Sequence, residues 1–305
     1  MTREELNQDK QQEIINEQKR ERRKKITVFL FKISIIIIVV FVLFYLYTTY
    51  VSSAILSLNE HRIVDKDLPN SFSGLKVVHI SDFHYGTTFF IDELENVVEE
   101  INKRNVDLVF FTGDLIDSNY VLTISEQKKI ISLLDSINAN LGKYAVYGEE
   151  DGNNFELIME RSNFIILKNN YELIYNGTHE PILLTGTGSL LKKETDINSA
   201  FGYFNDNTYN SKIFTISLIH EPDIIDSIVN KYKADLVLAG HSHNGTIRIP
   251  FFGGIYKNEG ALKYIDPYYS INDSNLFISS GLGTDAPGFR LFCRPSLNFF
   301  RLSNK

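Results

Sequence analysis

Residues 234–245 read Ala234-Asp235-Leu236-Val237-Leu238-Ala239-Gly240-His241-Ser242-His243-Asn244-Gly245, an apolar run that breaks into two histidines flanked by glycines. A short apolar run ended by glycine reads as a buried strand. Two histidines one residue apart beyond that strand can both turn into one crevice, and Gly240 lets the backbone approach closely. The same grammar recurs upstream. Leu75 to Ile80 leads to Ser81-Asp82-Phe83-His84, and Val106 to Phe111 leads to Thr112-Gly113-Asp114-Leu115-Ile116-Asp117. Tyr144 to Tyr147 leads to Gly148-Glu149-Glu150-Asp151, and Ile213 to Ile219 leads to His220-Glu221-Pro222-Asp223. Five strands that each deliver polar groups at their carboxyl ends describe one site assembled from loops on a rigid sheet.

Helical periodicity fills the gaps. From Ile91 to Arg104 the apolar positions Leu94, Val97, Val98 and Ile101 recur at helical spacing with carboxylates between, and Ile124 to Ile137 behaves similarly. Alternating strand and amphipathic helix predicts an α/β layered fold.

The chain has 305 residues, 43% hydrophobic and 23% charged, a globular composition that excludes a disordered or collagenous protein. Its single cysteine, Cys293, excludes an internal disulfide and a thiolate zinc cage, so a metal must sit on His, Asp, Glu or Asn. Of seven histidines, His61, His79 and His179 lack a partner pattern and read as ordinary surface or core residues. His84, His220, His241 and His243 each follow a predicted strand beside Asp, Gly or another His. Imidazoles mixed with hard carboxylate oxygens suit two divalent transition metals, Mn, Fe or Zn, a few ångströms apart.

The amino-terminal part is of a different kind. Residues 26–50 are apolar except for Lys32, and as a helix they would span roughly 37 Å at about 1.5 Å per residue, enough to cross a bilayer. The cluster Lys19-Arg20-Glu21-Arg22-Arg23-Lys24-Lys25 precedes the span, which predicts a cytoplasmic amino terminus and a main domain outside the cytoplasmic membrane. A cleaved signal with Ser52 and Ala54 at the cleavage site is the rival, but the apolar stretch exceeds the usual core of such signals. The expected organisation is a basic tail over 1–25, a transmembrane anchor over 26–50, a stalk over 51–70 and one domain over 71–305. After residue 50 there are 22 basic and 32 acidic side chains, a formal charge of −10, which disfavours nucleic acid as a partner.

In order and spacing these motifs resemble the calcineurin-like metallophosphoesterases, and within them the membrane-anchored bacterial phosphodiesterases of the YkuE/YaeI type. The resemblance runs from about Asn59 to Leu302 and rests on three stretches. They are Gly74 to Asp82, Gly240 to Pro250 with the following Phe-Phe-Gly, and Ser279 to Thr284 with Arg290 through Arg294-Pro295. It implies a four-layer sandwich of two packed mixed β-sheets flanked by helices, preceded here by the transmembrane helix. The family pattern implies a first metal on Asp82, His84 and His243, with Asp114 bridging to a second metal on His220 and His241. Asp117 and Asn244 would orient ligands. A hydroxide bridging the metals would attack phosphorus in line. The implied substrate is a phosphorylated small molecule or a lipid-linked phosphodiester or pyrophosphate near the membrane.

One motif departs from the pattern. Where the family carries Gly-Asn-His followed by Glu or Asp, this chain has Gly148-Glu149-Glu150-Asp151. Glu149, in place of the family Asn, is still a competent metal ligand but adds negative charge. Glu150, in place of the family His, would assist catalysis only as a protonated acid. The alternative reading turns both to solvent in a loop. The departure therefore sets a working phosphoesterase against an impaired relative that keeps metal or ligand without efficient hydrolysis, and against a non-enzymatic surface module. Tyr256, Tyr264, Tyr268 and Tyr269 are candidates for a substrate groove or for packing, and Arg248 and Arg290 for phosphate contacts or structural ion pairs.

Overall fold

Along the central strands the side chains alternate between two buried faces. Val77, Leu108 and Phe110 face one core, while Val78, Ile80, Val109 and Phe111 face another, and all are fully buried. A strand buried on both sides needs a layer on each side of its sheet. In a computed structural model, which describes residues 3–52, 55–205, 212–285 and 288–305, those layers are present.

One six-stranded sheet runs, in spatial order, Ser57–Val64, Ser296–Ser303, Lys76–Ile80, Leu108–Phe111, Gly142–Ala145 and Phe164–Ile166. The other runs Tyr268–Ile271, Ser274–Ile278, Leu236–Ala239, Thr215–Leu218, Ile182–Gly186 and Asn170–Ile174. Val77, Leu108 and Phe110 of the first sheet meet Ile216, Leu218, Leu236 and Leu238 of the second in a shared core. Helices Ile91–Asn102, Ile124–Asp135 and Asn153–Arg161 cover the outer face of the first sheet through Leu94, Val98, Ile130 and Ile158. Helices Ile197–Ala200 and Ile225–Val229 cover the second through Ala200, Ile225 and Ile228. The result is the mixed α/β arrangement of two packed sheets between helices that the motif order implies.

All five site-bearing runs form strands. Lys76–Ile80, Leu108–Phe111 and Gly142–Ala145 are parallel neighbours in one sheet, and Thr215–Leu218 and Leu236–Ala239 are parallel neighbours in the other. Both amphipathic segments are helical, and Ile124–Asp135 begins with a capping box. Thr123 Oγ1 accepts from Glu126 N at 3.2 Å, and Glu126 Oε2 accepts from Thr123 N at 2.9 Å.

The chain divides into two compact units, Met1–Thr48 and Thr49–Lys305. The first is a helix, Arg3–Leu46, continued by a π-helical turn, Tyr47–Val51, and it is long and apolar enough to cross a membrane. The expected stalk over 51–70 needs correction. Residues 57–64 form an edge strand of the first sheet, parallel to Ser296–Ser303, and Phe72 is fully buried in a short 3-10 turn, Asn70–Phe72. The partner strand lies so far along the chain that no local pattern announces the pairing.

Candidate metal centre

The loops after the five strands converge. Asp114, Glu149, His220 and His241 place one ligand atom each within 4.8 Å of one another, and so do Asp82, His84 and His243. The groups are contiguous: Asp114 Oδ2 is 3.1 Å from His220 Nε2 and 3.8 Å from His84 Nε2. His84 Nε2 in turn lies 3.1 Å from His243 Nε2.

Sharp backbone turns aim these side chains. Asp82, His84, Asp114, His241, His243 and Asn244 all have positive φ, between 42° and 64°. For non-glycine residues this conformation is uncommon and costs about 1–3 kcal/mol each, and it concentrates at functional sites. Close approach needs glycine: a Cβ on Gly240 would stand 2.1 Å from Ser81 Oγ and 2.6 Å from Asp82 Oδ2.

Three histidines are oriented from behind. His220 Nδ1 donates to Thr112 O, and His241 Nε2 donates to Glu259 O at 2.6 Å. That leaves His220 Nε2 and His241 Nδ1 facing the carboxylates, with His241 Nδ1 2.7 Å from Glu149 Oε1. His84 Nδ1 lies 3.3 Å from Glu150 Oε2 and 3.1 Å from Asp285 Oδ1, leaving Nε2 inward. An outer ring nitrogen tied to a carbonyl or carboxylate fixes the tautomer that presents a lone pair to a metal.

The donor set fits divalent ions on a further observation. Asp82 Oδ2, Glu149 Oε2, His220 Nε2 and Asn244 Oδ1 are buried without a hydrogen-bond partner. Glu149 Oε2 and His220 Nε2 are 2.6 Å apart, yet neither has hydrogen-bond geometry, so both aim at a shared point.

The calcineurin-like phosphoesterase family model matches residues 75–245, more than half of the chain. The chain belongs to the calcineurin-like phosphoesterase family. It is 28% identical over 265 residues to the "uncharacterized metallophosphoesterase YkuE" of Bacillus subtilis (strain 168), covering 85% of this chain and 90% of that protein. It is 27% identical to a "transmembrane protein with metallophosphoesterase domain" of Danio rerio, over 67% of this chain and 51% of that protein, so it spans about half of that relative. It is 25% identical to "UDP-2,3-diacylglucosamine pyrophosphatase LpxG" of Chlamydia muridarum, over 62% of this chain and 70% of that protein. Calcineurin-like phosphoesterases are metal-binding hydrolases, and the clustered His, Asp and Glu residues here agree with that. The apolar helix and the transmembrane relative point to a single-pass membrane member of the family.

In this calcineurin-like phosphoesterase the carboxylates set a potential that draws cations. Burial works against a charged His84, but Glu150, Asp114, Asp285 and Asp82 raise it to about 10. His220 likewise stands well above its ordinary value despite burial, because Asp114 and Glu149 face it. Burial raises Asp114 to about 7, against His220 beside it. Burial alone would raise Glu149, but His220 and His241 carry it well below the carboxylate range. Burial and the neighbouring His84 push His243 well below its ordinary value.

Glu149 and Glu150 both face the cluster rather than solvent. Glu150 Oε2 also accepts from Ser118 N at 2.9 Å, and against burial His84 holds its carboxyl below the usual range. A carboxyl held low in this way is ionised, the form in which Glu150 cannot donate a proton. Asp117 is buried and groups with buried His84, half-buried Glu150 and exposed Asp285, and its Oδ1 accepts from Asn119 N at 2.9 Å. Asn244 is buried at the end of the His-x-His turn.

Two participants were missed. Asp285 lies in a Gly-rich loop seven residues beyond the strand Ser274–Ile278, too far from its end for a strand-end motif search to reach it. Asp151 accepts from Asp114 N at 2.9 Å, Leu115 N at 2.9 Å and Gly148 N at 2.8 Å, pinning two ligand loops together. The arginines are structural. Arg290 is buried and donates to four backbone carbonyls, of Ser280, Gly281, Gly283 and Cys293, and Arg248 pairs with Asp266 at 2.6 Å. Tyr264 and Tyr269 are held by Asp226 and by the Ile265 and Asp266 amides, whereas Tyr256 is exposed.

Proposed function

We propose that this chain is a membrane-anchored phosphodiesterase or pyrophosphatase whose catalytic domain stands outside the cytoplasmic membrane. The observation that carries the reading is Asp114 Oδ2, set between His84 of one ligand group and His220 of the other. Asp82, His84 and His243 would hold one divalent ion, Glu149, His220 and His241 a second, with Asp114 shared. When bound, such ions supply Lewis acidity towards phosphoryl oxygens.

The remaining roles fall to the chain itself. Glu150 and Asp285 orient His84, the carbonyls of Thr112 and Glu259 orient His220 and His241, and Asp151 fixes the loops. Asn244 directs an amide oxygen and Asp117 a carboxylate at the cluster's rim. With Glu150 ionised, no side chain at the position of the family His can protonate a leaving group. Such assistance is worth about 10²–10⁴ in rate, so substrates whose leaving group needs no proton suffer least. A pyrophosphate bond leaves a phosphate, and the name of the Chlamydia muridarum relative specifies a pyrophosphatase.

Orientation follows from the six cationic side chains of residues 19–25. A second reading, a metal-bearing binder with little hydrolysis, is favoured by Glu149, Glu150 and Asp285, which place negative charge where a phosphate must come. The test is metal content and bis(p-nitrophenyl) phosphate hydrolysis by the detergent-solubilised full chain with Mn²⁺. Turnover abolished by chelator is expected; bound metal without turnover on this or a pyrophosphate substrate supports the binder.

A further inference from the structure

Beyond Asn244 the chain enters a hairpin in which Arg248–Ile249 pairs antiparallel with Gly253–Gly254. Its turn is Ile249-Pro250-Phe251-Phe252, closed by Phe252 N donating to Ile249 O at 3.0 Å. Proline at the second position and a positive φ at the third belong to a type II turn, which favours Gly or Asn at the third. Phe251 stands there at φ 70°. The conformation is costly for a bulky side chain, and no packing offsets it, because Phe251 is 105% and Phe252 84% exposed. Phe292, also at positive φ, is 61% exposed, and Ile249, Ile255 and Tyr256 extend the apolar surface. Phe251, Phe252 and Phe292 line a shallow groove of about 470 Å³. A local rule broken at two exposed aromatics, Phe251 and Phe292, beside a third, Phe252, marks an interaction surface.

Two observations name its partner. The first is charge: Asp266, the one carboxylate among the groove's lining residues, is paired with Arg248 at 2.6 Å. The patch is thus neutral in a domain whose acidic surface would be repelled by anionic headgroups. The second is the point where the anchor joins. The strand after the apolar helix begins at Ser57, opposite Ser296, in a ladder whose Asn298 stands opposite His79. Ser57 therefore lies at the metal-bearing end of its sheet. Ser57 N donates to Pro295 O at 2.7 Å, and nearby Cys293 donates through Sγ to His243 O at 3.1 Å. Six residue steps from Val51 to Ser57 span at most about 20 Å.

We propose that the 249–253 hairpin, with Phe292 and Tyr256, is seated in the interfacial layer of the bilayer that anchors the chain. The metal centre then takes phosphoesters held at the membrane surface, a lipid-linked phosphate or pyrophosphate, in preference to freely diffusing ones. Aromatic rings favour that layer, where one end is apolar and the other wet. The substrate half rests on the phosphoesterase reading; the membrane contact does not.

The chain contains no tryptophan, so a single introduced one reports from one place. Full chain carrying Phe251→Trp is reconstituted in phosphatidylcholine–phosphatidylglycerol vesicles, with Val64→Trp, at the far end of the edge strand, as control. Phe251→Trp should emit blue-shifted and be quenched by brominated lipid, while Val64→Trp should be quenched by aqueous iodide. Iodide quenching of Phe251→Trp without quenching by brominated lipid overturns the membrane contact. So does shielding that grows with protein-to-lipid ratio, which would assign the patch to a second copy. Phe251→Ser with Phe252→Ser should lower hydrolysis of a vesicle-embedded lipid pyrophosphate by about tenfold or more while bis(p-nitrophenyl) phosphate turnover holds. Equal loss on both overturns the substrate half. Silence of the unsubstituted chain on both substrates refutes the phosphoesterase reading, and the fluorescence still decides the membrane contact.

Discussion

His84 and His243 bring their Nε2 atoms within 3.1 Å of each other across 159 residues of chain. Two imidazoles at that distance beside Asp82 read as ligands of one ion, so each should matter to its retention. His243→Ala is expected to lower bound metal by about one ion per chain and to cost at least about a hundredfold in phosphodiester turnover. Elemental analysis alongside the rate checks it, and full metal occupancy in the variant would refute the assignment.

Glu149 and Glu150 should separate. Glu149→Ala removes the group between His220 and His241 and should weaken metal affinity about 10–100-fold, read by chelator titration. Glu150→His restores an imidazole beside the cluster. It should raise turnover most for poor leaving groups, up to about 10²-fold, and little for aryl esters. A uniform gain across leaving groups would argue against proton donation.

Asp151 carries three backbone amides, and asparagine has one acceptor oxygen to offer them. Asp151→Asn should destabilise by about 2–4 kcal/mol, since each stranded buried N–H costs about 1–3 kcal/mol. Thermal unfolding of the solubilised chain by circular dichroism measures it.

A Cβ at Gly148 would stand 2.2 Å from Asp114 Oδ1. Gly148→Ala must therefore displace the shared carboxylate, and activity should fall further than stability. Parallel activity and melting curves test the difference.

His79 supplies an acid limit outside the ligand set. It is fully buried, bonded through Nε2 to Thr112 Oγ1 at 2.8 Å, and burial pushes it down to about 3. Its imidazole stays neutral in the fold but is protonated in the unfolded chain below about 6.5. The unfolded state thus binds the extra proton, and stability falls as pH drops from about 6.5 towards 3, by up to about 5 kcal/mol. His79→Gln should flatten that slope in melting temperature against pH.

Much of this was written in the sequence because each ligand follows its own strand. The runs ending at Ile80, Phe111 and Ala239 are apolar, end in glycine or polar residues, and needed no distant partner to be recognised. Asp285 and the pairing of Ser57–Val64 were hidden for the opposite reason, since one sits in an irregular loop and the other depends on a strand at 296–303. The left-handed turns at Asp82, His84 and His243 were equally invisible, because aspartate and histidine do not announce positive φ as glycine does. Glu150 was legible as a departure, but its state depended on His84 and Ser118, which only the fold brings beside it.

The pairing of Ser57–Val64 with Ser296–Ser303 also sets an order of events in synthesis. The first strand after the apolar helix stays unpaired until residues 239 positions further along, such as Asn298 opposite Asn59, have been made. An edge strand waiting that long is a template for wrong partners, and contacts of such sequence separation form slowly. Closure of the domain is therefore a checkpoint on full-length translation: a chain stopped short of 296 keeps its anchor but cannot zip the sheet shut.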